Sequence, residues 1–142
     1  MAQSTFKGPL KVGTIKENTG VNLGQVVLSQ STTIAQNSTA VVTSTIVVPA
    51  NSRLLDLMCD VGTAFNSATS AVLSIGSAAA GTQYAGSIDV KTATGRIAPA
   101  CTGAQLLAMA NVGANTTIHA TVTPTGATTA GYVRVTVTYV QV

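Results

Sequence analysis

The chain is short of most of what chemistry requires. Charged residues make up 8% of its 142 residues, where globular domains carry about 25%. It has one histidine, His119, four acidic side chains, Glu17, Asp56, Asp60 and Asp89, and no tryptophan. A protein zinc site takes about three or four Cys, His, Asp or Glu ligands, and His119 has no second histidine with which to share one. The alternation around Asp56 and Asp60 puts both on one face of a strand. Their carboxylates would then lie ~13 Å apart at about 3.3 Å per residue, beyond the roughly 5–9.5 Å of glycosidase pairs. Their expected role is to hydrogen-bond or to pair with Arg53, Arg96 or Arg134. No Gly-x-Ser-x-Gly elbow is present, and the glycine-rich stretches do not open helices that would cradle phosphate. The acids do not cluster as in a calcium loop. Aromatics are 4%, too few for a stacking platform on single-stranded nucleic acid or sugar, with Tyr132 beside Arg134 the one aromatic–basic pair. The expectation is a protein without catalytic residues, metal or cofactor.

Long apolar runs are also missing: nothing approaches the ~20 residues of a membrane helix, although mean hydropathy is +0.42. The amino terminus, Met1 to Lys7, has no apolar core, so the reading is synthesis in the cytoplasm without a secretory signal. In that compartment Cys59 and Cys101 are expected as free thiols, Cys59 as a small buried hydrophobe in the alternation Leu55, Leu57, Cys59, Val61. The net charge of +3 and pI near 9.1 come largely from Lys7, Lys11 and Lys16. The body is close to neutral, too weakly charged for a nucleic-acid surface.

What is present is alternation. Val133, Val135, Val137 and Tyr139 fall on one face of a closing strand and Tyr132, Arg134, Thr136 and Thr138 on the other. Further strands are expected at Gln25–Ile34, Thr39–Val48, Arg53–Val61, Ala71–Ile75, Ser87–Lys91 and Thr116–Thr123. Turns are expected at Pro49–Ser52 and Pro124–Ala127. In Arg53–Val61 the pattern faces Leu55, Leu57, Cys59 and Val61 one way and Leu54, Asp56, Met58 and Asp60 the other. Gln105–Ala110 is the one stretch that favours helix, as a helical turn or a bulged strand. Seven or eight short strands without a crossover helix describe an all-β fold, an antiparallel β-sandwich of jelly-roll type in a single domain over residues 25–142.

Residues 1–24 are broken by Gly8-Pro9, Gly13, Asn18-Thr19-Gly20 and Gly24, yet retain apolar residues. They read either as a disordered terminus or as an extended arm that docks on a neighbour. In the arm reading Phe6, Leu10, Val12 and Ile15 are anchors, and Lys7, Lys11 and Lys16 face acidic surface. A charge-poor Thr/Ser/Ala exterior suits a surface covered by other subunits, because interface cores are depleted in charge.

The segment Asp60–Ser70, followed by Leu73-Ser74-Ile75-Gly76, Thr94-Gly95-Arg96 and the ending Val135–Gln141, resembles small virion proteins of tailed bacteriophages, in particular capsid decoration (cement) proteins. The resemblance implies a β-rich protein on the outside of an icosahedral head, at the virion surface. It implies a homotrimer that binds the major capsid protein and clamps neighbouring capsid subunits, with no sequence-specific nucleic acid and no membrane among its partners. A tail, neck or head-fibre component is the structural alternative. A carbohydrate-binding module using the loops Gly62–Ser70 or Ser77–Ile88 is the alternative of another class. An enzyme would need a concave pocket joining His119 to Asp56 or Asp60.

Overall fold

The structure, a computed structural model, describes residues 26–92 and 94–141. Its strands are β1 (Leu28–Ala35), β2 (Val42–Val48), β3 (Ser52–Thr63), β4 (Ser70–Gly76), β5 (Ala85–Asp89), β6 (Gly95–Ile97), β7 (Thr116–Thr125) and β8 (Tyr132–Gln141). One helix, α1 (Gly103–Ala110), lies between β6 and β7 in sequence. The strands pair antiparallel into two four-stranded sheets, β1-β8-β3-β6 and β2-β7-β4-β5. The pairs nest, β1 with β8, β2 with β7, β3 with β6 and β4 with β5. Such nesting is that of one long hairpin with its apex between β4 and β5, rolled until β8 meets β3 and β7 meets β4. The sandwich expected from the strand spacing is therefore present, with jelly-roll connectivity.

The core lies between the sheets and is built by period two. Val133, Val135, Val137 and Tyr139 of β8 are all buried, as are Ile118, Ala120 and Val122 of β7. Each fully buried Val, Leu or Ile contributes about 1.5–3 kcal/mol relative to exposure, and β8 supplies Val133, Val135 and Val137 and β7 Ile118 and Val122. Flanking residues on β8 point outward as the alternation requires.

β3 departs from the simple alternation. Its register against β8 shifts between Leu54 and Asp56, so Leu55 is an extra residue on the bulged strand. Leu54 is consequently buried and Leu55 is 43% exposed, the reverse of the expected facing, while Leu57, Cys59 and Val61 point inward as expected. A second shift between Val61 and Thr63 leaves Gly62 as the extra residue. A Cβ there would come within 3.0 Å of the Tyr132 ring, so Tyr132 packs over the glycine instead of standing free beside Arg134.

Two other elements extend past expectation. β7 continues through Pro124 to Thr125 and pairs there with β4 alone, because β2 ends its pairing at Val122. The missing proline N–H thus falls where β7 has become an edge strand. The helix-favouring stretch is an α-helix, and Thr102 caps it: its side chain accepts from the Gln105 amide while the Gln105 side chain accepts from the Thr102 amide, a reciprocal capping box.

Candidate assembly surface

The sequence-predicted arm residues Phe6, Lys7, Leu10, Lys11, Val12, Ile15 and Lys16 lie outside the described residues. Within them, the charged side chains are confined to part of the surface. Arg53, Asp56 and Asp60 are on β3, Arg96 on β6 and Arg134 on β8; Asp89 ends β5 and Lys91 follows it. β1, β2, β4, β7 and α1 carry none.

One ion pair joins two of these strands among the described residues. Asp60 lies opposite Arg134 on one side and Arg96 on the other, and accepts from Arg96 Nε at 2.9 Å. The hydrogen bond and charge of Arg96, with Arg134 adding to them, hold the Asp60 carboxyl below its ordinary 3.8. Of the expected partners, Arg96 is therefore the one that bonds. Asp89 is held low in the same direction, chiefly by the Thr92 hydroxyl and then by the Lys91 amide. Asp56 Oδ1 accepts from the Leu57 amide at 2.8 Å.

The groups a hydrolytic site would combine are kept apart. His119 is on β7, between Thr45 of β2 and Gly76 of β4 on the outer face of one sheet, while Asp56 and Asp60 face outward from the other sheet. No three His, Cys, Asp or Glu side chains cluster among the described residues. Cys59 and Cys101 are free thiols. Burial, with a smaller effect of Asp60, pushes the Cys59 thiol up to about 12, so it stays protonated and inert. Cys101 donates to the Tyr84 carbonyl at 3.4 Å.

Several groups of the loops Gly62–Ser70 and Ser77–Ile88 bond within the fold. Asn66 donates from Nδ2 to Thr129 Oγ1 at 2.7 Å, and its Oδ1 accepts from the Thr129 and Ala130 amides at 2.9 and 3.0 Å. Phe65 is buried against Gly131, where a Cβ would stand 2.3 Å from the ring. After β4 the chain folds back across its own sheet: the Ala80 amide donates to Thr121 Oγ1 at 3.0 Å, and Ser77 N to Gln83 Oε1 at 3.1 Å. Phe65, Tyr84 and Tyr139 are all buried.

The two long sides of the sandwich differ. On one, β6 pairs with only Cys59–Val61 of β3, and α1 packs against β3 with Met109 buried. The segment reaches the connection between β4 and β5 through Gln105 Nε2 to Thr82 O at 2.9 Å and returns to β3 through Val112 N to Ser52 O at 2.9 Å. On the opposite side β1 and β2 lie against each other across the sandwich, each an outermost strand of its sheet. Their inward faces mix aliphatic side chains, Ile34, Ile46 and Val48 in the core with Leu28 and Val42 packed against it, with polar ones. Thr32 and Ser44 share a hydrogen bond, and Gln30 Nε2 donates to the Tyr139 hydroxyl at 2.7 Å and to the Val47 carbonyl at 3.0 Å. No Lys, Arg, Asp or Glu occurs between Glu17 and Arg53, so β1, β2 and the segment that joins them are uncharged. Val27, Val41 and Val47 are 57%, 56% and 59% exposed along it. A charge-free run of that length was readable in the sequence. That it forms one side of the molecule follows only from the topology.

No protein-family model, curated protein or solved structure matches the chain.

Proposed function

We propose that the protein is a structural virion component that binds the outside of a phage head and bridges neighbouring capsid subunits. The observation that carries the reading is the division of the surface: charges confined to β3, β6, β8 and the end of β5, and an uncharged remainder with valines exposed along the β1/β2 side. A free monomer gains nothing from such a surface, whereas a subunit interface is depleted in charge at its core. Jelly rolls serve in both capsid and lectin domains, and the fold does not choose between them. The buried aromatics and internally bonded loops weigh against the lectin alternative, because a sugar platform needs an exposed ring. In this reading Phe6, Leu10, Val12 and Ile15 anchor an arm to the major capsid protein while Lys7, Lys11 and Lys16 meet its acidic surface.

The test is co-sedimentation with expanded, DNA-free heads of the phage that encodes the chain. The wild-type protein is expected to saturate them at a fixed ratio to capsid subunits, and a triple Lys7→Glu, Lys11→Glu, Lys16→Glu variant to lose that binding. Failure of the wild type to bind sinks the decoration reading. Full binding by the variant removes the arm from it.

A further inference from the structure

The open side of the sandwich has the properties of a self-pairing edge. All eight residues of β1 pair with β8 without a register shift. The Gln36 amide donates to Gly131 O at 2.9 Å, in register with that ladder. The amides and carbonyls of Leu28, Gln30, Thr32 and Ile34 therefore point to β8, and those of Ser29, Ser31, Thr33 and Ala35 point away from it, to an edge without a strand partner among the described residues. β2 likewise pairs with β7 over all seven of its residues without a shift. Monomeric sheets protect such edges with charge, proline, bulges or very short strands, and neither β1 nor β2 carries any of these; the Val47 carbonyl of β2 is taken by Gln30 Nε2. The other outermost strands are protected. β6 is three residues long and bears Arg96, and β5 has a register shift against β4 and a positive φ of 58° at Ser87.

From this contrast the geometry points to a second copy of the chain as the occupant, with β1 pairing antiparallel to β1 and β2 to β2. One twofold axis normal to the sandwich relates both pairs at once, because β1 and β2 are stacked at the same side. Two eight-stranded sheets result. An isologous edge meets itself, so any charge on it would oppose or neighbour a like charge, which destabilises a strand pair; an uncharged edge meets that requirement. The chain's own amino-terminal segment fits less well. Lys7, Lys11 and Lys16 would lie along an edge with no acid, since the described acids are on β3 and β5. Nor does the opposite side of a neighbour fit, because α1 and its flanks cover it. The pairing is independent of head binding, and it is a twofold contact distinct from the threefold implied by the resemblance.

Sedimentation equilibrium of the full-length protein tests it, with the variants Ser31→Pro and Ser31→Lys. Proline at Ser31 removes an edge-facing N–H and leaves the β8 ladder intact, and lysine places charge at mid-strand. The wild type is expected as a dimer, or as a hexamer where a threefold contact adds to the twofold. Both variants should halve that mass while unfolding cooperatively. A wild-type monomer or trimer overturns the pairing, as does a mass that neither folded variant changes. A monomer whose Ser29, Ser31 and Thr33 amides exchange slowly also overturns it, since the edge is then covered from within the chain.

Discussion

Along one side of the sandwich β6 covers only three residues of β3, and α1 lies against what remains; along the other, β1 and β2 run eight and seven residues, each paired on one side only among the described residues. The closed side uses the devices by which a sheet avoids further pairing: a short strand, a bulge, a capped helix, an ion pair. The open side uses none among the described residues, and its interior joins the aliphatic packing of Ile34, Ile46 and Val48 to hydrogen bonds of Gln30, Thr32 and Ser44. Among the described residues one side is finished and the other is left open, and that contrast is what the proposed edge pairing rests on.

The comparison is tested most strongly on the closed side. Met109→Ala removes the one buried side chain of α1 and is expected to destabilise by about 2–5 kcal/mol, seen as a lower denaturant midpoint. A change below about 0.5 kcal/mol, within the range of ordinary surface substitutions, would mean that the helix does not hold that side.

On the open side the corresponding position is Gln30. Gln30→Ala leaves the buried Tyr139 hydroxyl without its donor and should cost about 1–3 kcal/mol. An unchanged midpoint would show that the polar interior there contributes no specificity.

Thr102→Ala removes the helix cap and is expected to cost about 1 kcal/mol, with amide exchange accelerated through Leu106. Equal acceleration in β1 would mean that the two sides are one cooperative unit.

The smallest effect is on acid stability. Asp60 and Asp89 have folded pKa values held below the ordinary 3.8. The stability they add is present above that value and is lost as pH falls through their lower folded values. Asp60→Asn should flatten the decline of melting temperature below about pH 4, modestly, because the Asp60–Arg96 pair is exposed. An undiminished decline would assign acid sensitivity elsewhere.

Much of the fold was legible because period two survives in the strands that matter. β8 and β7 alternate in sequence as they do in burial, and the Pro49–Ser52 break falls where β2 ends. The facing of Leu54 and Leu55 was not legible, since a bulge between two leucines leaves no compositional trace. β6, at three residues, is too short to show a period. For α1 the signal was present in Thr102 and Gln105 at capping-box spacing, which decides for helix over bulged strand. The candidate surface was half legible: absence of charge from Asn18 to Ser52 is a sequence fact, but which strands become outermost is decided by how the hairpin rolls.

The account rests on the open side being an assembly surface, and amide exchange compared between dilute and concentrated protein tests that directly. Slowing confined to the edge-facing amides of Ser29, Ser31 and Thr33, with β5 unchanged, is the predicted result. Exchange at those amides that is fast and independent of concentration would contradict it.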